Sequence, residues 1–189
     1  MSYPQKSKKE LNNKNKISLL FRFSILFTVL IALLVPQYGY NPVIEAHVTI
    51  RHYRNGILIG TDHHPGVLTN IGADFIEQQI SGSASTTNAI YIAVSNDAST
   101  PQVTWTAIPN EITTGGMGRA AGTYINDGIG QWNVTKTYNP TESGSCQLTG
   151  LYYASSGDYL LCADTFAQIN YQGGTDTVEI IWSLSVSGA

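Results

Sequence analysis

A mainly β fold, an antiparallel β-sandwich of Ig-like or jelly-roll-like type with one short α-helix, is what this sequence predicts behind an N-terminal hydrophobic leader helix. Three observations predict it. Beyond residue 43, short apolar segments alternate with the two-residue period that sends successive side chains to opposite faces of a strand. Turn-forming residues punctuate them: Asn55-Gly56, Gly115-Gly116, Asn126-Asp127-Gly128, Ser155-Ser156-Gly157-Asp158 and Gly173-Gly174-Thr175-Asp176. Only residues 69–82 switch to helical spacing.

The leader comes first. Lys6, Lys8, Lys9, Lys14 and Lys16 precede the apolar run 17–35, which Arg22 alone interrupts. Basic-then-apolar order is that of a secretory signal peptide or a signal anchor, and the basic flank keeps the N-terminus inside while the remainder is exported. Residues 23–35 have the length of a signal core, and residues 17–35 that of a marginal span. Ile44-Glu45-Ala46 offers a cleavage site that is small only at the cut. The expected organisation is therefore a signal peptide or anchor over residues 1–46 and a single sandwich domain over 47–189. The expected location is the cell surface or extracellular space, with the membrane engaged only through the N-terminal segment.

Charge narrows the partners. Of 10 basic residues, six lie at or before Arg22; beyond Val35, Arg51, Arg54, Arg119 and Lys136 face 12 acids, a net of −8. An acidic, nearly lysine-free body repels phosphate backbones, which excludes nucleic acid as the expected partner.

The elements follow in order. Residues 43–53 alternate, with Ile44, Ala46, Val48 and Ile50 on one face and Glu45, His47, Thr49 and Arg51 on the other. Asn55-Gly56 is the strongest short hairpin signal, and Ile57, Leu58 and Ile59 begin the return strand. Leu68, Ile71, Phe75, Ile76 and Ile80 fall at helical spacing, with Thr69 or Asn70 as N-cap and Gly82 as the stop. Strands are expected at 89–95, 103–108, 119–126, 131–138, 147–154 and 159–171. In the last strand Val178, Ile180, Trp182, Leu184 and Val186 share the core face.

Cys146 and Cys162 are the only cysteines, and export would place them in an oxidising compartment, so a disulfide is expected. Register argues the other way: if residues 155–158 form a tight hairpin turn, Cys162 faces Leu151 rather than Cys146, leaving two separate buried thiols as the alternative.

Motifs for chemistry are sparse, and neither a catalytic residue nor a cofactor is expected. Residues 116–121 satisfy the pattern G-x-G-x-x-A, but no helix signal follows to receive a phosphate. His47 and His52 are an odd number of positions apart on one strand, and adjacent His63 and His64 do not readily converge on one ion, so no metal site is expected. Asp97, Asp127 and Asp158 lie in turns but lack the fixed spacing of a calcium loop. Asn133-Val134-Thr135 is a glycosylation sequon, with Asn133 the acceptor.

The ordered phrases at 68–76 (LTNIGADFI), 91–97 (YIAVSND), 109–116 (PNEITTGG), 119–124 (RAAGTY), 154–157 (ASSG) and 163–166 (ADTF) together resemble small β-rich phage tail or fibre proteins. They are also similar to secreted archaeal proteins, extracellular filament or pilin-like subunits that carry the module behind a leader. The resemblance covers residues 43–189 and implies a non-enzymatic structural role repeated many times in an assembly. It transfers no catalytic residue, and the cysteine pair is not part of its pattern.

The resulting expectation is an exported subunit of a filament, pilus or surface sheath whose partners are copies of itself. Assembly by strand donation would use Val43, Ile44, Ala46, Val48 and Ile50, freed by cleavage, to complete a neighbour's sheet. Pairing of that segment within its own subunit is the alternative. The rival function is a membrane-anchored adhesin or carbohydrate-binding sandwich, with Trp105, Trp132, Tyr152 and Tyr153 as its aromatic candidates.

Overall fold

The hairpin signal at Asn55-Gly56 is realised directly. In the computed structural model, which describes residues 43–82 and 87–187, both residues adopt left-handed backbone, φ 51° and 77°. That is the geometry of a type I′ turn, whose twist matches the strands it joins. It links β1 (Val43–Arg54) to β2 (Ile57–Pro65). The expected leader helix and the Lys-rich flank lie outside the described residues.

Behind β2 come β3 (Val67–Leu68), α1 (Asn70–Ser81), β4 (Tyr91–Ser95), β5 (Ala120–Ala121) and β6 (Thr123–Gly128). The chain closes with β7 (Gln131–Tyr138), β8 (Gly144–Tyr152), β9 (Leu160–Tyr171) and β10 (Asp176–Ser187). Two five-stranded antiparallel sheets result: sheet A in the order β2-β1-β10-β7-β6, and sheet B in the order β3-β9-β8-β4-β5. The first and last described strands are neighbours in sheet A, paired from Val43 opposite Ser187 to Arg54 opposite Asp176.

The core lies between the sheets, because alternation gives each one apolar inner face. Val48, Ile50, Val134, Ile180 and Trp182 of sheet A are buried in one cluster with Ile92, Val94, Leu151 and Leu161 of sheet B. The inner face expected for the last strand is the observed one as far as Leu184; Val186 runs past the core and is exposed. A second apolar cluster covers the opposite side of sheet B, where Ile108 packs with Ala93, Leu148, Tyr152, Leu160 and Ala163, flanked by Ile71 and Trp105.

Helix α1 starts where the capping signal places it. Thr69 is the N-cap and accepts from the Gly72 N–H, while its own hydroxyl donates to the Leu160 carbonyl at 2.6 Å, so one side chain both starts the helix and fastens it to β9. Gly72 is required by that docking, since a Cβ there would run into the Leu161 carbonyl. Gly82 ends the helix with φ 76°.

Two expectations are corrected. Residues 103–108 form turns rather than a strand. Pinned between Pro101 and Pro109, this segment lies over sheet B, where the Ile108 N–H donates to the Tyr152 hydroxyl at 2.8 Å. β1 already pairs with β10 from Val43 onward. Cys146 and Cys162 are free thiols: Cys146 faces Ile169 and Cys162 faces Leu151. Five positions along a strand span on the order of 16 Å, well beyond the roughly 7 Å Cα separation a disulfide tolerates.

Candidate functional site

The two outer faces of the sandwich differ in what covers them. That of sheet B is hidden beneath α1 and the loop between β4 and β5. Arg119 locks the loop down: its guanidinium stacks on the Tyr152 ring at 3.5 Å, grips Glu111 with two hydrogen bonds, and donates to the Gly157 carbonyl at 2.9 Å. The outer face of sheet A has no such cover among the described residues. Glu45, His47 and Thr49 of β1, Ser183 and Ser185 of β10, and Gln131, Asn133 and Thr135 of β7 occupy it at matched register.

A cleft of about 220 Å³ opens on that face, lined by His47, Asp127, Gln131, Asn133, Ser183 and Ser185. Asn133, the sequon asparagine, sits in it and donates to the Asp127 carboxylate at 3.2 Å. The lining is polar side chains on a sheet, suited to hydrogen bonding and lacking a stacking platform. Trp132 also borders the cleft, but it pairs with inward-facing Leu184 and packs toward the core. The other aromatic candidates form no exposed row either: Tyr152 is buried, Trp105 packs over sheet B, and Tyr153 stacks on Phe75 with centroids 4.3 Å apart.

The histidines separate by face. His47 and His63 stack on the outer face at 5.5 Å, with Thr49 Oγ1 2.9 Å from His63 Nδ1. On the inner face His64 Nε2 lies 2.7 Å from Asp62 Oδ1. His52, also inward, reaches Asp176 at 2.8 Å. No group of three or more metal-ligating side chains converges among the described residues.

Asp176 is the most heavily bonded side chain among the described residues. Arg54 contacts both of its oxygens at 2.9 Å, and His52, the Gln172 N–H and the Thr175 hydroxyl complete the shell. The Arg54 guanidinium, more than any other partner, holds this carboxyl well below the usual carboxylate range. The cluster clamps the end of β1 to the β9–β10 turn and leaves no oxygen free for a substrate. Asp164 is the opposite case: burial pushes its carboxyl up, and its Oδ2 is buried without a hydrogen-bond partner.

The edges of sheet A complete the accessible features. β1, the expected assembly strand, is paired on both sides, with β2 and β10. Ala46, Val48 and Ile50 are buried, Ile44 is half-buried, and Val43 faces outward and is exposed. The sheet instead ends at β2 and β6, where Ile57, Leu58 and Ile59 are 68, 50 and 50 % exposed and Tyr124 and Ile125 are 57 and 48 % exposed. Sequence reasoning missed these edges; the signal within it was Ile57-Leu58-Ile59, an apolar run without alternation behind a hairpin turn.

No family model, no curated protein and no solved structure matches this chain.

Proposed function

We propose that the chain is an exported structural subunit of a surface filament, pilus or sheath built from copies of itself. The observation that carries this reading is sheet A, whose edge strands β2 and β6 each have a stretch left unpaired on one side among the described residues and expose apolar side chains there. An unpaired edge is a template for a further strand, and monomeric proteins blunt such edges rather than leave them apolar. The basic-then-apolar leader supports export, and the ordered phrases resembling phage fibre proteins and archaeal filament subunits support a repeated structural role.

Strand donation is the finer form of the proposal. The intrachain register of β1 against β10, with Val48 opposite Trp182, would be exchanged for the same register between copies, β2 travelling with β1 as a hairpin. The cleft beside Asn133 favours a second reading, a membrane-anchored adhesin or carbohydrate-binding module, whose polar lining would bind by hydrogen bonds without stacking.

Electron microscopy and sedimentation of the protein released from cells test the proposal. Filaments or sheets of this chain are expected; a protein that stays monomeric at high concentration overturns it.

A further inference from the structure

We infer that successive copies join edge to edge, β2 of one against β6 of the next, continuing sheet A from subunit to subunit. This rests on the homopolymer reading and names the surface that serves it.

The two halves of β2 differ in the devices that guard an edge. Residues 62–65 carry Asp62, His63, His64 and Pro65, and this half is already engaged with β9, where the Ala167 N–H donates to Asp62 at 2.9 Å. Charge and proline are what proteins place on an edge to prevent pairing. The free half, Ile57, Leu58, Ile59, Gly60 and Thr61, has neither, and all five residues are exposed. The free stretch of β6, Thr123, Tyr124, Ile125 and Asn126, is likewise uncharged and free of proline, with all four residues exposed. The two stretches of backbone that nothing else covers among the described residues, one at each end of the same sheet, are thus left undefended.

A second copy is the occupant that satisfies both at once. Four antiparallel steps separate β2 from β6, so the two strands run in the same direction. Copies in the same orientation therefore bring β2 and β6 together as a parallel pair, a heterologous contact that leaves a fresh edge at each end and does not close. The register also sets a stagger. The free half of β2 lies level with residues 51–54 of β1, whereas β6 lies level with residues 45–49 through β7 and β10. The centres differ by five to six residues, so each copy is displaced along the strands by on the order of 18 Å from the last.

Paired edge-blocked variants of the full exported chain test this. One carries Leu58→Lys with Ile59→Lys, the other Tyr124→Lys with Ile125→Lys; single Ile57→Lys and Tyr124→Lys variants serve if a double variant does not fold by circular dichroism. Each variant alone is expected to lose at least about tenfold in polymer, because lysine on an edge opposes pairing. The two mixed are expected to give one discrete dimer, since each supplies the edge the other lacks. Wild-type filaments together with normal filaments from either variant overturn the inference and leave the homopolymer reading standing. A dimer formed by one variant alone, the sign of a two-fold contact between like edges, overturns it too. A monomeric wild-type protein removes both.

Discussion

Asp176 and Asp164 show how far a single carboxylate's role depends on neighbours remote in sequence. Asp176 reads as a turn residue in Gly-Gly-Thr-Asp, but Arg54 and His52 arrive from β1 and turn it into the anchor of the hairpin's far end. Its native value is depressed below the unfolded one, so its contribution is fully present above about pH 4 and is withdrawn as the pH falls toward the native value. Asp176→Asn is expected to destabilise at pH 7 by clearly more than the ~0.5 kcal/mol of a surface change, with the deficit shrinking below pH 4 in urea titrations. A constant deficit from pH 7 to 3 would contradict the role of its charge. Asp164 carries the opposite sign: its raised value means that the charged form strains the fold, a cost that grows as the pH rises through the carboxylate range. Nothing in the string Cys-Ala-Asp-Thr reveals that this aspartate faces between two sheets.

At the scale of elements, local signals succeeded where the interaction that decides them is local. Asn55-Gly56 needs only its own backbone preference to make the turn, and Thr69 needs only the N–H three residues on to start α1. Thr69→Ala is expected to cost more than the ~1 kcal/mol of an ordinary cap. The same hydroxyl donates to the Leu160 carbonyl, so its loss also leaves that buried bond unmade. Thermal unfolding checks this, and Thr69→Ser, which keeps the hydroxyl, should recover most of the loss. Residues 103–108 misled because Trp105 and Ile108 have strand composition yet spend their apolar surface on covering sheet B, while Val103 stays exposed. Composition reports a wish for burial, and neighbours decide whether pairing or capping satisfies it.

For the whole molecule, the register of β8 on β9 settles the cysteines. The bond expected from export chemistry is out of reach, and each thiol is part of the core. Burial pushes the Cys146 thiol up to about 12 and the Cys162 thiol up as well, so neither is a nucleophile in the folded state. Both are expected to react with a thiol reagent on the order of 100-fold more slowly in native protein than in denaturant. An intact mass lower by two hydrogens, or fast native labelling, would contradict the register.

Alternation, turn chemistry and one helical period were sufficient to set the class, two antiparallel sheets and one helix, because each is a local preference repeated until it becomes collective. The acidic, lysine-poor body was likewise plain in the residues themselves. Tertiary structure alone decided that β1 sits inside sheet A, that β2 and β6 are its edges, and that the aromatic candidates pack against the core or under the cover of sheet B rather than in an exposed row. Those outcomes depend on which distant strands pair, and in a sheet the side-chain pattern says which face is apolar but not which strand is left without a neighbour.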